Sequence, residues 1–146
     1  MATLVGTFEH GLDEKGRLIV PAKLREALGE TFIATLGLGR DPCVLLYPIA
    51  EWDRLVQRID ALPEFDDEAA EARRVLGAYA HECTMDAQGR TMIPAPLRTH
   101  AGLDGDVVII GALRKAEVWA RDRCGSALAQ TLTPERLAEV RRKHAL

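Results

Sequence analysis

Hydrophobic and polar positions change period along the chain, and the changes mark its elements. Thr3 to Phe8 mixes β-branched and aromatic residues and predicts a strand. His10 to Val20 predicts strand, turn, strand, with Gly16 where a short hairpin loop needs a left-handed residue and Asp13 placed to bond the turn backbone. Pro21 suits the first turn of a helix after an extended residue, so Ala22 to Leu28 predicts a short helix stopped by Gly29. Thr31–Leu36 and Cys43–Tyr47 predict strands on either side of the turn-rich Gly37-Leu38-Gly39-Arg40-Asp41-Pro42. Trp52, Leu55, Val56, Ile59 and Leu62 then follow helical spacing on one face. A second helix is predicted after Pro63, with Asp66 or Asp67 as its N-cap and an apolar stripe of Phe65, Ala69, Ala72, Leu76 and Tyr79.

The second half repeats the start of this order. "LDEKGRLIVPAKLREAL" at 12–28 recurs as "MDAQGRTMIPAPLRTHA" at 85–101, an offset of 73 residues. Asp13, Gly16, Arg17, Pro21, Ala22, Leu24 and Arg25 return as Asp86, Gly89, Arg90, Pro94, Ala95, Leu97 and Arg98. Ala95–Ala101 predicts the matching short helix, stopped by Gly102. Asp106–Ile110 and Ala116–Trp119 predict strands. Thr133-Pro134 predicts a capped last helix, with Leu137 and Val140 on its inner face. Two copies are too few for a solenoid, so a duplicated small domain is expected, with halves 1–77 and 78–146. Half a chain of this length would bury only about 60% of its unfolded surface. The halves are therefore expected to pack against each other, against other copies, or both.

Composition changes this picture little; charge and cysteine count narrow it. The chain has 146 residues, a formal net charge of −3 and three cysteines. It lacks the strong overall basicity that points to nucleic acid or anionic membrane, yet local charge is what governs binding. Lys15, Arg17, Lys23 and Arg25 stand against Asp13 and Glu14 in 10–25, whereas 51–74 carries eight acids against four bases. Cys43, Cys83 and Cys124 form no Cys-x-x-Cys, which fits reduced buried thiols better than a disulfide framework. No signal peptide is visible and the apolar run Val107–Leu113 is too short to span a bilayer, so a soluble, intracellular protein is expected.

The repeated turn carries the chemistry. Arg17 and Arg90 each follow a glycine turn, so each starts near the exposed end of a hairpin. A guanidinium fork matches phosphate oxygens or guanine O6 and N7. Asp13 and Asp86, four residues earlier, are placed to hold the arginine in one rotamer by a bidentate pair. Arg25 and Arg98, one helical turn past the proline, add candidate DNA-backbone contacts, and so do Lys15 and Lys23 in the first copy. On this chemistry alone the Asp-x-x-x-Arg unit reads equally well as a structural clasp for the turn, worth about 0–1 kcal/mol.

"DEKGRLIVPAKLR" and "DAQGRTMIPAPLR" resemble the two motif copies of the MraZ family of bacterial transcriptional regulators, and more widely the AbrB-like swapped-hairpin DNA-binding domains. "LLYPIAEWDRL" at 45–55 also resembles the family, and the likeness is weakest after about residue 120. The resemblance implies an α+β fold: a duplicated swapped-hairpin β-barrel, with short helices flanking each repeat and chains assembled into a closed ring. It implies a cytoplasmic, nucleoid-associated regulator, expected to repress. Its site would be short direct repeats in double-stranded DNA upstream of a division and cell-wall gene cluster that includes its own gene. Carried over by motif, the DNA-contacting positions fall on Arg17 and its turn (Lys15, Gly16) and on Arg90 and its turn (Gln88, Gly89); Lys23, Arg25 and Arg98 complete the expected DNA-binding set as the candidate backbone contacts. Gln88 in place of Lys15 removes one phosphate-seeking charge, so the second turn is expected to bind more weakly or to read a base edge.

Rival readings are weaker. A phosphate-binding enzyme would need chemistry the chain does not display: it has no nucleophile elbow, no P-loop and no paired carboxylates beside a histidine. A ring-forming scaffold or an antitoxin-like interaction protein is the main alternative, although antitoxins with this pattern typically carry one copy and a disordered tail. His81 and Cys83 share a strand face but lack a partner pair, so they are expected in the core or an interface, and no metal or cofactor is expected. Trp52 and Trp119 are expected as core or interface anchors. Arg141-Arg142-Lys143 reads as cations favoured at a helix C-terminus.

Overall fold

A computed structural model describes residues 2–39 and 41–146; Arg40, within the turn expected at 37–42, lies outside the described residues. The order is β1 (Thr7–Gly11), β2 (Arg17–Ile19), α1 (Ala22–Leu28), β3 (Thr31–Leu36), β4 (Val44–Pro48), α2 (Ile49–Asp60) and α3 (Asp67–Tyr79). The second half follows with β5 (His81–Thr84), β6 (Arg90–Met92), α4 (Ala95–Ala101), β7 (Asp106–Gly111), β8 (Ala116–Ala120), α5 (Arg121–Thr131) and α6 (Pro134–His144). Pro21 and Pro94 stand at the entries of α1 and α4, and Gly29 and Gly102 at their ends, as the punctuation predicts.

The two halves exchange strands. One antiparallel sheet runs β1-β7-β8-β4-β3-β5, so an edge strand from each half pairs with the other half: Phe8 opposite Ile109, and Phe32 opposite Cys83. The strands that follow the two glycine turns pair with each other as a separate ribbon, Arg17 opposite Met92, Leu18 opposite Thr91 and Ile19 opposite Arg90. A bridge between Leu12 and Leu18 ties this ribbon back to β1. The result is the expected α+β architecture of interlocked hairpins, its hydrogen bonding divided between a six-stranded sheet and a two-stranded ribbon.

The exchange follows from the apolar pattern. Leu18, Val20, Leu24 and Leu28 of the first repeat share one core with Ile93, Leu97 and Ala101 of the second, and with Phe32, Val44, Leu46, Val107 and Ile109 of the sheet. Fully burying one such aliphatic side chain stabilises by about 1.5–3 kcal/mol, so neither repeat keeps its core without the other. A smaller cluster of Cys43, Leu45, Val108, Trp119 and Cys124 lies under α5. All three cysteines are buried and unpaired. Burial pushes the Cys43 thiol up to about 12, with Glu117 and Asp41 adding to the effect.

Several elements differ from expectation. The first strand starts at Thr7; Leu4, within the stretch expected to be strand, makes only an isolated bridge to Leu113. Helix α5, not singled out by the sequence pattern, packs on β7 and β8. Asp66 is the N-cap of α3, accepting a hydrogen bond from the Ala69 N–H at 3.1 Å. Of the expected α3 stripe, only Ala69 and Leu76 are buried; Phe65 lies in the turn before the helix and is 94% exposed. Helix α2 buries none of its residues, and Trp52 lies half-buried against Tyr47 with ring centroids 5.9 Å apart. Thr133 caps α6 as expected, but the expected inner face is not buried: Leu137 is exposed and α6 buries no residue. Helical spacing identifies an apolar face without fixing whether the same chain covers it. No helix among the described residues is long and apolar enough to cross a membrane.

Candidate nucleic-acid interface

Each Asp-x-x-Gly-Arg unit folds into the same three-residue loop. The Gly16 N–H donates to the Asp13 carbonyl at 3.0 Å, and the Asp13 N–H donates to the Arg17 carbonyl at 3.0 Å. Gly16 takes φ +83° and Gly89 φ +81°, the left-handed conformation that closes such a loop with little strain only for glycine. One carboxylate oxygen of Asp13 accepts the backbone N–H groups of Lys15 (2.9 Å) and Arg17 (2.8 Å); the other accepts Arg17 Nε–H at 2.6 Å. Asp86 does the same for Gln88 (2.9 Å), the Arg90 backbone (2.9 Å) and Arg90 Nε–H (2.8 Å).

This geometry modifies the expected bidentate pair. Oδ1 is committed to the turn backbone, so the guanidinium is held at Nε alone, and Nη1 and Nη2 take no part in the contact. The aspartate is thus both clasp and orienter. Both carboxyls are held below the usual carboxylate value, chiefly by the backbone N–H of the arginine four residues on, with its side chain adding. They stay ionised well below neutral pH, and the clasps persist with them.

The two turns also lock each other. The Val20 N–H donates to the Gly89 carbonyl at 2.8 Å, and the Ile93 N–H to the Gly16 carbonyl at 2.9 Å. Arg25 and Arg98, expected as DNA-backbone contacts, are half-buried and engaged inside the protein. Arg25 Nε–H donates to the Val20 carbonyl and Arg98 Nε–H to the Ile93 carbonyl, each at 2.9 Å. The Arg98 guanidinium lies on the open face of Gly16, and that of Arg25 on Gly89; a β-carbon at either glycine would fall on it. Both glycines are buried as a result.

Together these contacts bring Arg17 and Arg90 onto one face. On the β2–β6 ribbon they alternate with Ile19 and Met92, while Leu18 and Thr91 point to the core, 0% and 3% exposed. The Arg17 and Arg90 side chains are 40% and 43% exposed. A shallow recess of about 240 Å³ opens between them, lined also by Thr84, Met85 and Met92. Lys15, Lys23 and Gln88 are exposed near these elements. Sequence reading missed Ile19 and Met92; the signal available was alternation, which places residues i and i+2 of a strand on one face. Cys83 is buried in the core beside β6, and its partner on the same strand face, His81, is half-buried.

The model of a protein family described as "MraZ protein, putative antitoxin-like" matches residues 3–75 and 76–136. The transcriptional regulator MraZ of Heliobacterium modesticaldum is 49% identical over 119 residues, covering 82% of this chain and 82% of the relative. That of Lachnoclostridium phytofermentans is 45% identical over 119 residues, with the same coverage of both chains. That of Limosilactobacillus reuteri is 44% identical over 128 residues, covering 88% of this chain and 89% of the relative. With both repeats matched by the family model, the chain belongs to the MraZ family, whose curated members are named transcriptional regulators.

Proposed function

We propose that this chain is a non-enzymatic transcriptional regulator that binds double-stranded DNA through its two glycine turns. The observation that carries this reading is the shared exposed face of Arg17 and Arg90. Each is fixed at Nε by an aspartate, which leaves the terminal amines for an outside ligand. A held guanidinium loses less entropy on binding, and its fork matches guanine O6 and N7 or phosphate oxygens. A two-stranded ribbon is also of a size that enters the major groove. Lys15 and Lys23 add phosphate contacts in the first repeat. Gln88 makes the second turn the less charged partner.

One ribbon offers few contacts, and the chain's net charge is −3, so a single copy binds weakly. We infer a ring of copies, each addressing one of several short direct repeats, so that every contact after the first is effectively intramolecular. Supporting association, α2 and the turn that joins it to α3 leave Val56, Leu62 and Phe65 exposed, and Val56 lines a groove together with Trp52, Ile59 and Leu76. We infer that its DNA target lies upstream of a division and cell-wall gene cluster that includes the regulator's own gene, a reading that rests on the family resemblance. Repression follows from occupying that promoter, and the protein works in the cytoplasm at the nucleoid.

The test is a binding series on duplexes from that upstream region carrying one or several repeats, at rising salt. Binding should need more than one repeat and fall steeply with salt. Equal affinity for a single-repeat duplex would remove the ring from the account.

A further inference from the structure

The ribbon face carries more than its two arginines. Ile19 and Met92 stand on the same side of β2–β6, 45% and 49% exposed. Ile19 is directly opposite Arg90, and Met92 directly opposite Arg17, so each apolar side chain has an arginine beside it across the ribbon. Arg17 and Arg90 are diagonal neighbours, about 7–8 Å apart at the backbone. That spacing is close to two base-pair steps at about 3.4 Å each along one strand. Two arginines that meet guanines would therefore place Ile19 and Met92 over the neighbouring base edges.

We propose that Ile19 and Met92 read the C5-methyl groups of thymine in the major groove, between and beside the bases met by Arg17 and Arg90. This rests on the DNA-binding reading above. The chemistry is selective. Neither side chain can donate to guanine or adenine, and the Met92 thioether is at best a weak acceptor for the amino groups of cytosine and adenine, so covering those polar edges would leave them poorly bonded. Thymine alone presents an apolar group in the major groove. The flanking guanidinium groups favour polyanionic DNA over another apolar protein surface as the occupant of this face. The recess between Arg17 and Arg90, lined by Met92, gives a methyl group a place to seat.

The experiment compares two forms of one duplex from the DNA upstream of the chain's own gene, one with thymidine and one with deoxyuridine at every thymidine position. The proteins are the full-length wild type, Arg17→Ala, and the double variant Ile19→Gln/Met92→Gln. Both replaced residues are exposed, so the double variant should keep the wild-type melting temperature and native mass. Wild type should bind the thymidine duplex about fourfold more tightly for each methyl fully buried. The double variant should bind both duplexes equally. Equal wild-type affinity for the two duplexes, while Arg17→Ala still abolishes binding, would overturn this inference and leave the DNA-binding reading standing. A thymidine preference that persists in the double variant would also overturn it, by assigning the effect to DNA shape. So would a changed native mass, by assigning the patch to a contact between copies. Wild type failing to bind the thymidine duplex at all would overturn the DNA-binding reading, and this inference with it.

Discussion

The reciprocal lock between the turns can be tested by itself, without DNA. Replacing Gly16 with alanine does two things. It forces a β-carbon into a left-handed conformation, φ +83°, at about 1–2 kcal/mol. It also drives that carbon into the Arg98 guanidinium, which must leave its 2.9 Å bond to the Ile93 carbonyl. A half-buried hydrogen bond from a charged donor contributes about 1.5–3 kcal/mol. The total for Gly16→Ala is about 2.5–5 kcal/mol, or roughly 10 °C in melting temperature for a chain of this size. Arg98→Ala removes the same bond and the same obstacle. In an Arg98→Ala background, Gly16→Ala should therefore cost only its backbone strain, and the two changes should couple by about 1.5–3 kcal/mol. Urea denaturation of the four proteins in the cycle measures this coupling directly, and Gly89 with Arg25 supplies an independent second cycle. Additivity within about 0.5 kcal/mol would refute the lock, because residues that do not interact give additive costs.

Two further outcomes follow from burial. The Cys43 thiol, pushed up to about 12 from 9.0, is protonated and inaccessible at pH 8. Iodoacetamide should spare it in the native protein and label it in urea, and rapid native labelling, read by mass spectrometry, would contradict the placement. Its contribution to stability is fully present below about pH 9.0 and lost as the pH rises towards 12. On the α2–α3 surface, Phe65→Ser or Val56→Asp should lower the native mass by breaking association while leaving the helical circular dichroism unchanged. An unchanged assembly would move the contact between copies elsewhere.

The parts of this fold that the sequence reveals are the locally encoded ones. Pro21 with Gly29 and Pro94 with Gly102 bracket α1 and α4, because proline and glycine act on their own backbone. Asp13 and Gly16 announce a turn for the same reason. Arg25 and Arg98 could not be read this way. Each spends its guanidinium on a glycine of the opposite repeat, 64 residues away for Arg25 and Gly89 and 82 for Arg98 and Gly16, and no local pattern links such pairs. Leu137 shows the converse: helical spacing put it on the inner face of a helix that does form, but whether that face meets its own chain depends on tertiary packing. Phe65, expected on the α3 stripe, lies in the turn before α3. Ile19 and Met92 were within reach of simple alternation, yet only the β2–β6 register puts them beside the arginines.

The central claim is that the two clasped turns present Arg17 and Arg90 to DNA. The most direct measurement is the affinity of Arg17→Ala and Arg90→Ala for the upstream duplex, with native mass and melting temperature recorded beside it. Arg17→Ala should abolish specific binding with assembly and stability unchanged, and Arg90→Ala should cause a smaller loss from its less charged turn. Unchanged affinity of Arg17→Ala for that duplex would contradict the account.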